Sequence, residues 1–419
     1  SSPTPVATAS PRATAPPPSS PPAALPRTPP DPRGTPPGRP PCAARPPATM
    51  LPGFMDPLVP PNVDRMIPYQ PGKPLEELER ELGITQAIKL ASNENPLGPS
   101  PKAVEAIRAA ATQLHLYPDG AAHALRSALA ERHGVSLDEV VLGNGSNELI
   151  DLICRTFPSR DDHVVFGKPS FVCYWLGCTA AGVPFTEVPL KDDLAWDVDA
   201  MLEAVEPRTK VLFLANPNNP TGAHVGKAEL SRLLRELPER VVAVIDEAYV
   251  EFPDAEDYVT ALELRDLRER LLVLRTFSKA YGIAGSRVGY ALGPAELVGY
   301  LHRMRAPFNV NSLGQIGALA ALDDTAHVER YVALNTAERP RVAAGLRELG
   351  LTVAPSQANF VLVDFGRPGR EVYDALLRKG VILRPMPAPI DTWLRITIGT
   401  PDQNDRLLGA VKELLDASA

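Results

Sequence analysis

The stretch TFSKAYGIAGSRVG, Thr276 to Gly289, decides how this chain is read. It follows Leu271–Leu274 (LLVL), a short aliphatic run bounded by charges, which predicts a buried strand. Thr276, Ser278 and Lys279 then fall just past the strand's end, where open α/β sheets bind ligands. A lysine in a dry site, or close to other cations, loses its proton readily and becomes a nucleophile toward carbonyl carbon. Arg287, further along the same stretch, supplies a fixed positive charge suited to phosphate. Taken alone, the Ser-Lys pair is equally a solvated lysine at a loop mouth.

Two more aliphatic runs lie upstream. Val241–Ile245 (VVAVI) leads into Asp246, Glu247, Ala248 and Tyr249, and Val211–Leu214 (VLFL) leads into NPNNPTG at Asn216–Gly222. An acidic residue at the mouth of a buried strand is unfavourable unless it meets a cation or a donor. The protonated ring nitrogen of pyridoxal phosphate is such a donor, and an aspartate partner keeps that ring an electron sink. Pro and Gly force a turn after Ala215, where the Asn219 amide can donate to a phenolate oxygen. Three strand ends thus carry, in order, an amide, a carboxylate with a tyrosine, and a lysine with an arginine.

NPNNPTG, DEAY and SKAYGIAGSRVG, in this order and spacing, resemble the fold-type I aminotransferases that use pyridoxal phosphate. PYQPGK (Pro68–Lys73), KLASNENPLGPSP (Lys89–Pro101), YPDG (Tyr117–Gly120), ANF (Ala358–Phe360) and LRITIGT (Leu394–Thr400) extend the likeness, most closely to the histidinol-phosphate subgroup. It runs from about Pro68 to the last residues.

Composition agrees with a large enzyme. The chain has 419 residues, 44% hydrophobic and 22% charged, enough for a sizeable core and more than one lobe. Net charge is −7; residues 1–50 hold five arginines against Asp31 alone, so the remainder carries 38 basic and 49 acidic residues, or −11. A body that acidic is no nucleic-acid binder, and no apolar stretch reaches membrane-spanning length. Cys42, Cys154, Cys173 and Cys178 have no CxxC spacing and the seven histidines no ligand pattern, so reduced thiols in a cytoplasmic protein without a metal site are expected.

The first fifty residues hold 18 of the 47 prolines and almost no large apolar side chains, and read as a disordered tail over 1–58. They lack the apolar core of a signal peptide. Met50, Met55 and Met66 also leave room for a later natural start, and a Pro-rich ligand for a partner domain is the remaining reading.

Further strands are expected at Val140–Leu142, His163–Phe166, Phe185–Val188 and Val288–Leu292, making seven with the three above, mostly separated by helical patterns. The fold class expected is α/β: a mainly parallel seven-stranded sheet flanked by helices, a smaller C-terminal α+β domain and an N-terminal arm. The boundaries are 59–115 for the arm and first helices of the small domain, 116–310 for the large domain and 311–419 for the small domain.

After Val140–Leu142, the turn Gly143–Asn147 opens a helix, which suits phosphate at backbone N–H groups. Ser146 or Asn147 serves equally as a helix cap. Residue by residue, the resemblance implies that Lys279 carries the cofactor and moves the proton, and that Asp246 holds the ring nitrogen. Tyr249 and Asn219 would donate to the ring oxygen, and Phe171 would stack on the ring. Ser278, Thr276, Arg287, Ser146 and Asn147 would hold the phosphate, joined by Tyr117 of a neighbouring subunit, which implies a homodimer.

For substrate, the resemblance points to Arg395 in LRITIGT, Arg384 in ILRPM, Tyr69, and Asn95 in SNENP. One site must take glutamate and also a phosphate ester without a carboxylate, so paired guanidinium groups make physical sense. Either arginine is also readable as a surface ion-pair member. The activity implied is transamination of L-histidinol phosphate with 2-oxoglutarate. The rivals are an aromatic aminotransferase and a phosphothreonine decarboxylase on the same scaffold. A DNA-binding regulator would need a helix-turn-helix that the proline-rich N-terminal piece does not supply.

Overall fold

The structure is a computed structural model and describes residues 58–68 and 75–417; the tail expectation and Tyr69 lie outside them. Residues 58–419 form one compact unit. Thirteen strands occur in the described residues. After the short β1 (Ile88–Lys89) come β2 (Val140–Asn144), β3 (His163–Lys168), β4 (Phe185–Pro189), β5 (Thr209–Ala215), β6 (Val242–Asp246), β7 (Leu271–Thr276) and β8 (Val288–Leu292). They build one seven-stranded sheet in the order β2-β8-β7-β6-β5-β3-β4. All seven expected strands are present.

The aliphatic runs form strands buried on both faces, as β-branched and aliphatic residues do when helices cover a parallel sheet. Helices Val172–Ala181 and Lys227–Glu236 bridge successive parallel strands. Between β7 and β8 only residues 277–287 intervene, too few for a helical crossover, so β8 returns antiparallel to β7. That short return is the lysine-bearing stretch, held at the sheet's carboxyl edge from both sides.

A second sheet, in the order β12-β13-β10-β9, is antiparallel: β9 (Thr352–Val353), β10 (Phe360–Asp364), β12 (Arg384–Pro385) and β13 (Trp393–Thr397). β11 (Val381–Ile382) pairs in parallel with β1. Its core gathers Val342, Leu346, Val361, Ile396, Leu407 and Val411 with Leu78 and Leu90 from the N-terminal side. The domain boundary expected at residue 310 precedes helix Ser312–Leu322, whose Ala318, Ala321 and Leu322 join the core under Phe277 and Tyr290. Ala103 of helix Pro101–Ala110 packs there too. These helices therefore lie against the large sheet.

The pleat of β6 sorts two adjacent carboxylates. Asp246 lines a cavity at the sheet's edge, whereas Glu247 accepts from Arg275 (Nη2 at 2.8 Å), Thr260 and the backbone N–H of Ala261. Glu247 is fully buried, and a buried carboxylate persists only with partners of this kind.

Candidate active site

The carboxyl ends of β5, β6 and β7, the start of helix Ser146–Thr156, the Ser92–Glu94 loop and strands β12 and β13 enclose a cavity of about 250 Å³. Of the site residues expected from sequence, it brings together Lys279, Asp246, Tyr249, Asn219, Ser278, Thr276, Arg287, Ser146, Asn147, Phe171, Arg384 and Arg395.

The Lys279 ammonium donates to the Ser92 carbonyl at 3.1 Å and lies 5.7 Å from the centre of the Tyr249 ring. Burial, then the nearby Arg395 charge, pushes it down to about 7. Asp246 is 3% exposed, and burial raises its carboxyl to about 6 against the opposing hydrogen bond from Tyr174. Tyr174 Oη donates to Asp246 Oδ2 at 2.8 Å, and the Ala248 N–H to Oδ1 at 3.2 Å. Asn93 Nδ2 donates to the Tyr249 hydroxyl at 2.9 Å. The Asn219 amide oxygen accepts from Arg395, so its NH₂ is the end left to donate.

At the other end of the cavity Arg287 adopts φ +55°, a left-handed backbone held by its surroundings, and its Nη1 reaches the Ser278 hydroxyl at 3.4 Å. A Cβ on Gly145 would sit 2.3 Å from Arg287 Nη2, and one on Gly289 would sit 2.4 Å from the Ser146 nitrogen. Glycine is required at Gly289 by that backbone contact and at Gly145 by its φ of +76°. Gly145 holds the cap position of helix Ser146–Thr156, with no side-chain cap bond, so Ser146 and Asn147 are first-turn residues and not caps.

This donor set fits pyridoxal phosphate. The helix start, Ser278, Thr276 and Arg287 form a cradle for a phosphate, and Asp246 is a buried carboxylate suited to a protonated ring nitrogen. Tyr249 and Asn219 offer donors for a phenolate, and Lys279 an amine for an aldehyde. No cluster of metal-ligating side chains occurs among the described residues.

Two expected residues stand elsewhere. Asn95 does not line the cavity: Nδ2 donates to the Ala280 carbonyl at 3.0 Å, faces His327 at 3.3 Å, and Oδ1 accepts from the Leu97 N–H. Its amide ties the SNENP loop to the residue after Lys279. Tyr117 is 83% exposed and stacks on Phe308 at 4.8 Å, outside the cavity of its own chain. The sequence reading passed over Tyr174 and Asn93. Asn93 sits inside the quoted SNENP motif, whereas Tyr174 carries no signal beyond its place one turn after Phe171.

Arg384 and Arg395 are directly opposed on β12 and β13 at the cavity wall. Like charges across a strand pair repel, and an anion held between them relieves that repulsion. A second cavity of about 340 Å³ adjoins through Phe171, Asn219 and both arginines, lined by Trp175, Met386, Pro387 and Ile390 among others.

Such a lysine-centred cavity at the edge of a mainly parallel sheet suits pyridoxal phosphate chemistry on amines. The chain belongs to the aminotransferases of class I and II, whose family model matches residues 85–411. The histidinol-phosphate aminotransferase of Anaeromyxobacter sp. (strain Fw109-5) is 49% identical over 363 residues, 86% of this chain and 100% of that one. Histidinol-phosphate aminotransferase 2 of Pseudomonas aeruginosa is 46% identical, over 85% of this chain and 98% of the relative. The crystal structure of histidinol-phosphate aminotransferase from Sinorhizobium meliloti in complex with pyridoxal 5'-phosphate superposes with a TM-score of 0.79 at 30% identity, covering 86% of this chain and 98% of that one.

Proposed function

We propose that this protein transfers the amino group of L-histidinol phosphate to 2-oxoglutarate, giving imidazole acetol phosphate and L-glutamate in histidine biosynthesis, with pyridoxal 5'-phosphate as cofactor. The observation that carries the substrate assignment is the opposed pair Arg384 and Arg395 on the wall of the lysine cavity, in a chain 44–49% identical to histidinol-phosphate aminotransferases. Two guanidinium groups suit a phosphate ester in one half-reaction and a dicarboxylate in the other.

Bound in this cavity, the cofactor supplies an electron sink that acidifies the Cα–H of an amino donor. The protein's part is to orient and to move protons. Lys279, held near 7, has a neutral amine available at physiological pH to take the Cα proton and return it on the other side of the transfer. Asp246 keeps the ring nitrogen charged, and Tyr249 and Asn219 donate to the ring oxygen. Phe171 covers one face of the ring. Ser278, Thr276, Arg287, Ser146 and Asn147 would hold the phosphate, and Arg395 and Arg384 the substrate anion, a role the sequence likeness also gives Tyr69.

Tyr117, exposed and braced by Phe308, is assigned to the phosphate of a second copy, in a homodimer with shared sites. The described cysteines are free thiols, in keeping with a cytoplasmic setting, and no helix among the described residues is long and apolar enough to cross a membrane.

The adjoining apolar cavity favours a second reading, an aromatic amino-acid aminotransferase whose substrate ring enters beside Trp175. A panel of histidinol phosphate, phenylalanine and phosphothreonine with 2-oxoglutarate as acceptor separates the readings by kcat/KM. Histidinol phosphate leads if the assignment is right. A wide margin for phenylalanine removes it, and carbon dioxide release from phosphothreonine points to the decarboxylase.

A further inference from the structure

We propose that Tyr174 is a positioning residue for the transfer chemistry: its hydroxyl holds the Asp246 carboxylate ionised and turned toward the ring nitrogen of the cofactor. This rests on the pyridoxal phosphate reading of the cavity. Tyr174 is fully buried on helix Val172–Ala181. Its ring stacks on Phe213 at 4.8 Å and 14°, meets Phe171 edge-on at 5.9 Å and 87°, and lies 6.0 Å from Phe166. Packing on three sides fixes the ring, so the hydroxyl has one direction to point, and there it meets Asp246 Oδ2 at 2.8 Å.

Asp246 needs that donor. A carboxylate at the dry end of β6 favours its protonated form, and a protonated Asp246 cannot hold a charge on the ring nitrogen. The groups around it are Tyr174 and Cys173 from the helix, Glu247 and Tyr249 from the following turn, and Lys279 beyond β7. Of these, Tyr174 is the side chain within hydrogen-bond distance of its oxygens. Since Phe171 caps the start of the same helix and lines the cavity, one helical turn sets both an aromatic wall of the site and the acid at its far end.

Tyr174→Phe keeps the ring and removes the donor. A ring nitrogen that loses its proton no longer lowers the pH at which the cofactor's visible band titrates, so the midpoint of that band moves up. With a charge-assisted bond removed, kcat falls roughly 10- to 100-fold while KM for the amino donor changes little. Loading both forms with the cofactor analogue whose ring nitrogen is replaced by carbon makes them equal. The comparison variant Phe213→Leu keeps the hydroxyl and the Phe171 and Phe166 contacts that still aim it, and moves the midpoint less than Tyr174→Phe does. Should Tyr174→Phe fold poorly, difluorotyrosine at the same position strengthens the donor and lowers the midpoint instead. An unmoved midpoint in Tyr174→Phe, or a deficit that persists with the carbon analogue, overturns the proposal. If wild-type protein shows no borohydride-trapped adduct at Lys279, the cofactor reading itself fails, and that result is separate.

Discussion

Arg395 on β13 donates from Nη1 to the amide oxygen of Asn219 after β5, and from Nη2 to the Ala91 carbonyl at 2.7 Å. One side chain thus ties the second sheet to the edge of the first across the cavity. Both acceptors are neutral, so an incoming carboxylate or phosphate offers Arg395 the stronger charge-assisted bond. Arg395→Lys should therefore lower kcat/KM for both half-reactions by roughly 100-fold, since a point charge cannot replace the two-pronged geometry. Steady-state kinetics with each substrate varied in turn check this; a loss confined to one substrate would show that the arginine serves only that one.

Lys279→Ala should abolish turnover and the visible absorption of the loaded protein. Mass spectrometry after borohydride reduction should find the cofactor's mass on Lys279 in wild type and nowhere in the variant. Undiminished turnover in the variant would overturn the mechanism.

The Lys279 amine sits near 7 because of burial first and Arg395 second. In cofactor-free protein, the rate of loading with pyridoxal phosphate should therefore rise with pH through about 7, as the neutral amine appears. Arg395→Gln removes a repelling charge and should move that midpoint upward. A midpoint unchanged by the substitution would show that burial alone sets it.

Burial of Asp246 weighs against folding stability at neutral pH. Its carboxyl is raised from 3.8 to about 6 in the folded, cofactor-free protein, so the folded state binds the proton more tightly than the unfolded chain. Its contribution to stability therefore falls as pH rises from about 4 to 6 and stays low above that window. Asp246→Asn should stabilise the cofactor-free protein at pH 8 by up to about 3 kcal/mol. The same change should weaken cofactor binding. Thermal melts with and without pyridoxal phosphate test both halves; a destabilised cofactor-free variant contradicts the first.

Gly289→Ala should weaken cofactor binding more than it lowers folding stability, because the new Cβ meets the Ser146 nitrogen at 2.4 Å and must displace the helix start. Equilibrium dialysis with pyridoxal phosphate measures it, with Gly299→Ala, where a Cβ meets nothing within 4 Å, as the neutral comparison.

The large sheet was legible because its strands are unbroken aliphatic runs followed by turn residues, and most of the cavity's chemistry sits at their ends. Helix Thr325–Glu348 was not, since its buried positions include His327, Asn335, Glu338 and Arg339 and it carries a helix-breaking residue, Pro340, within its span. Directions within the SNENP loop were not legible, because residues packed into one short loop point different ways: Asn93 reaches Tyr249, Glu94 lines the cavity and Asn95 turns back to Ala280. Tyr174 was hidden for another reason. Its partner lies 72 positions away, and a buried aromatic on a helix carries no mark of the acid it touches.

The two acids at the end of β6 stand one residue apart, and a strand sends neighbours to opposite faces. Slipping β6 by a single position would, in one direction, hand Arg275 the shorter acid, and in the other bring the longer one, with its extra methylene, to the cavity. Insertions or deletions of one residue between Val242 and Glu247 would thus disable the enzyme while leaving its hydrophobicity untouched. The spacing of that pair is a ruler, and the catalytic chemistry reads from it.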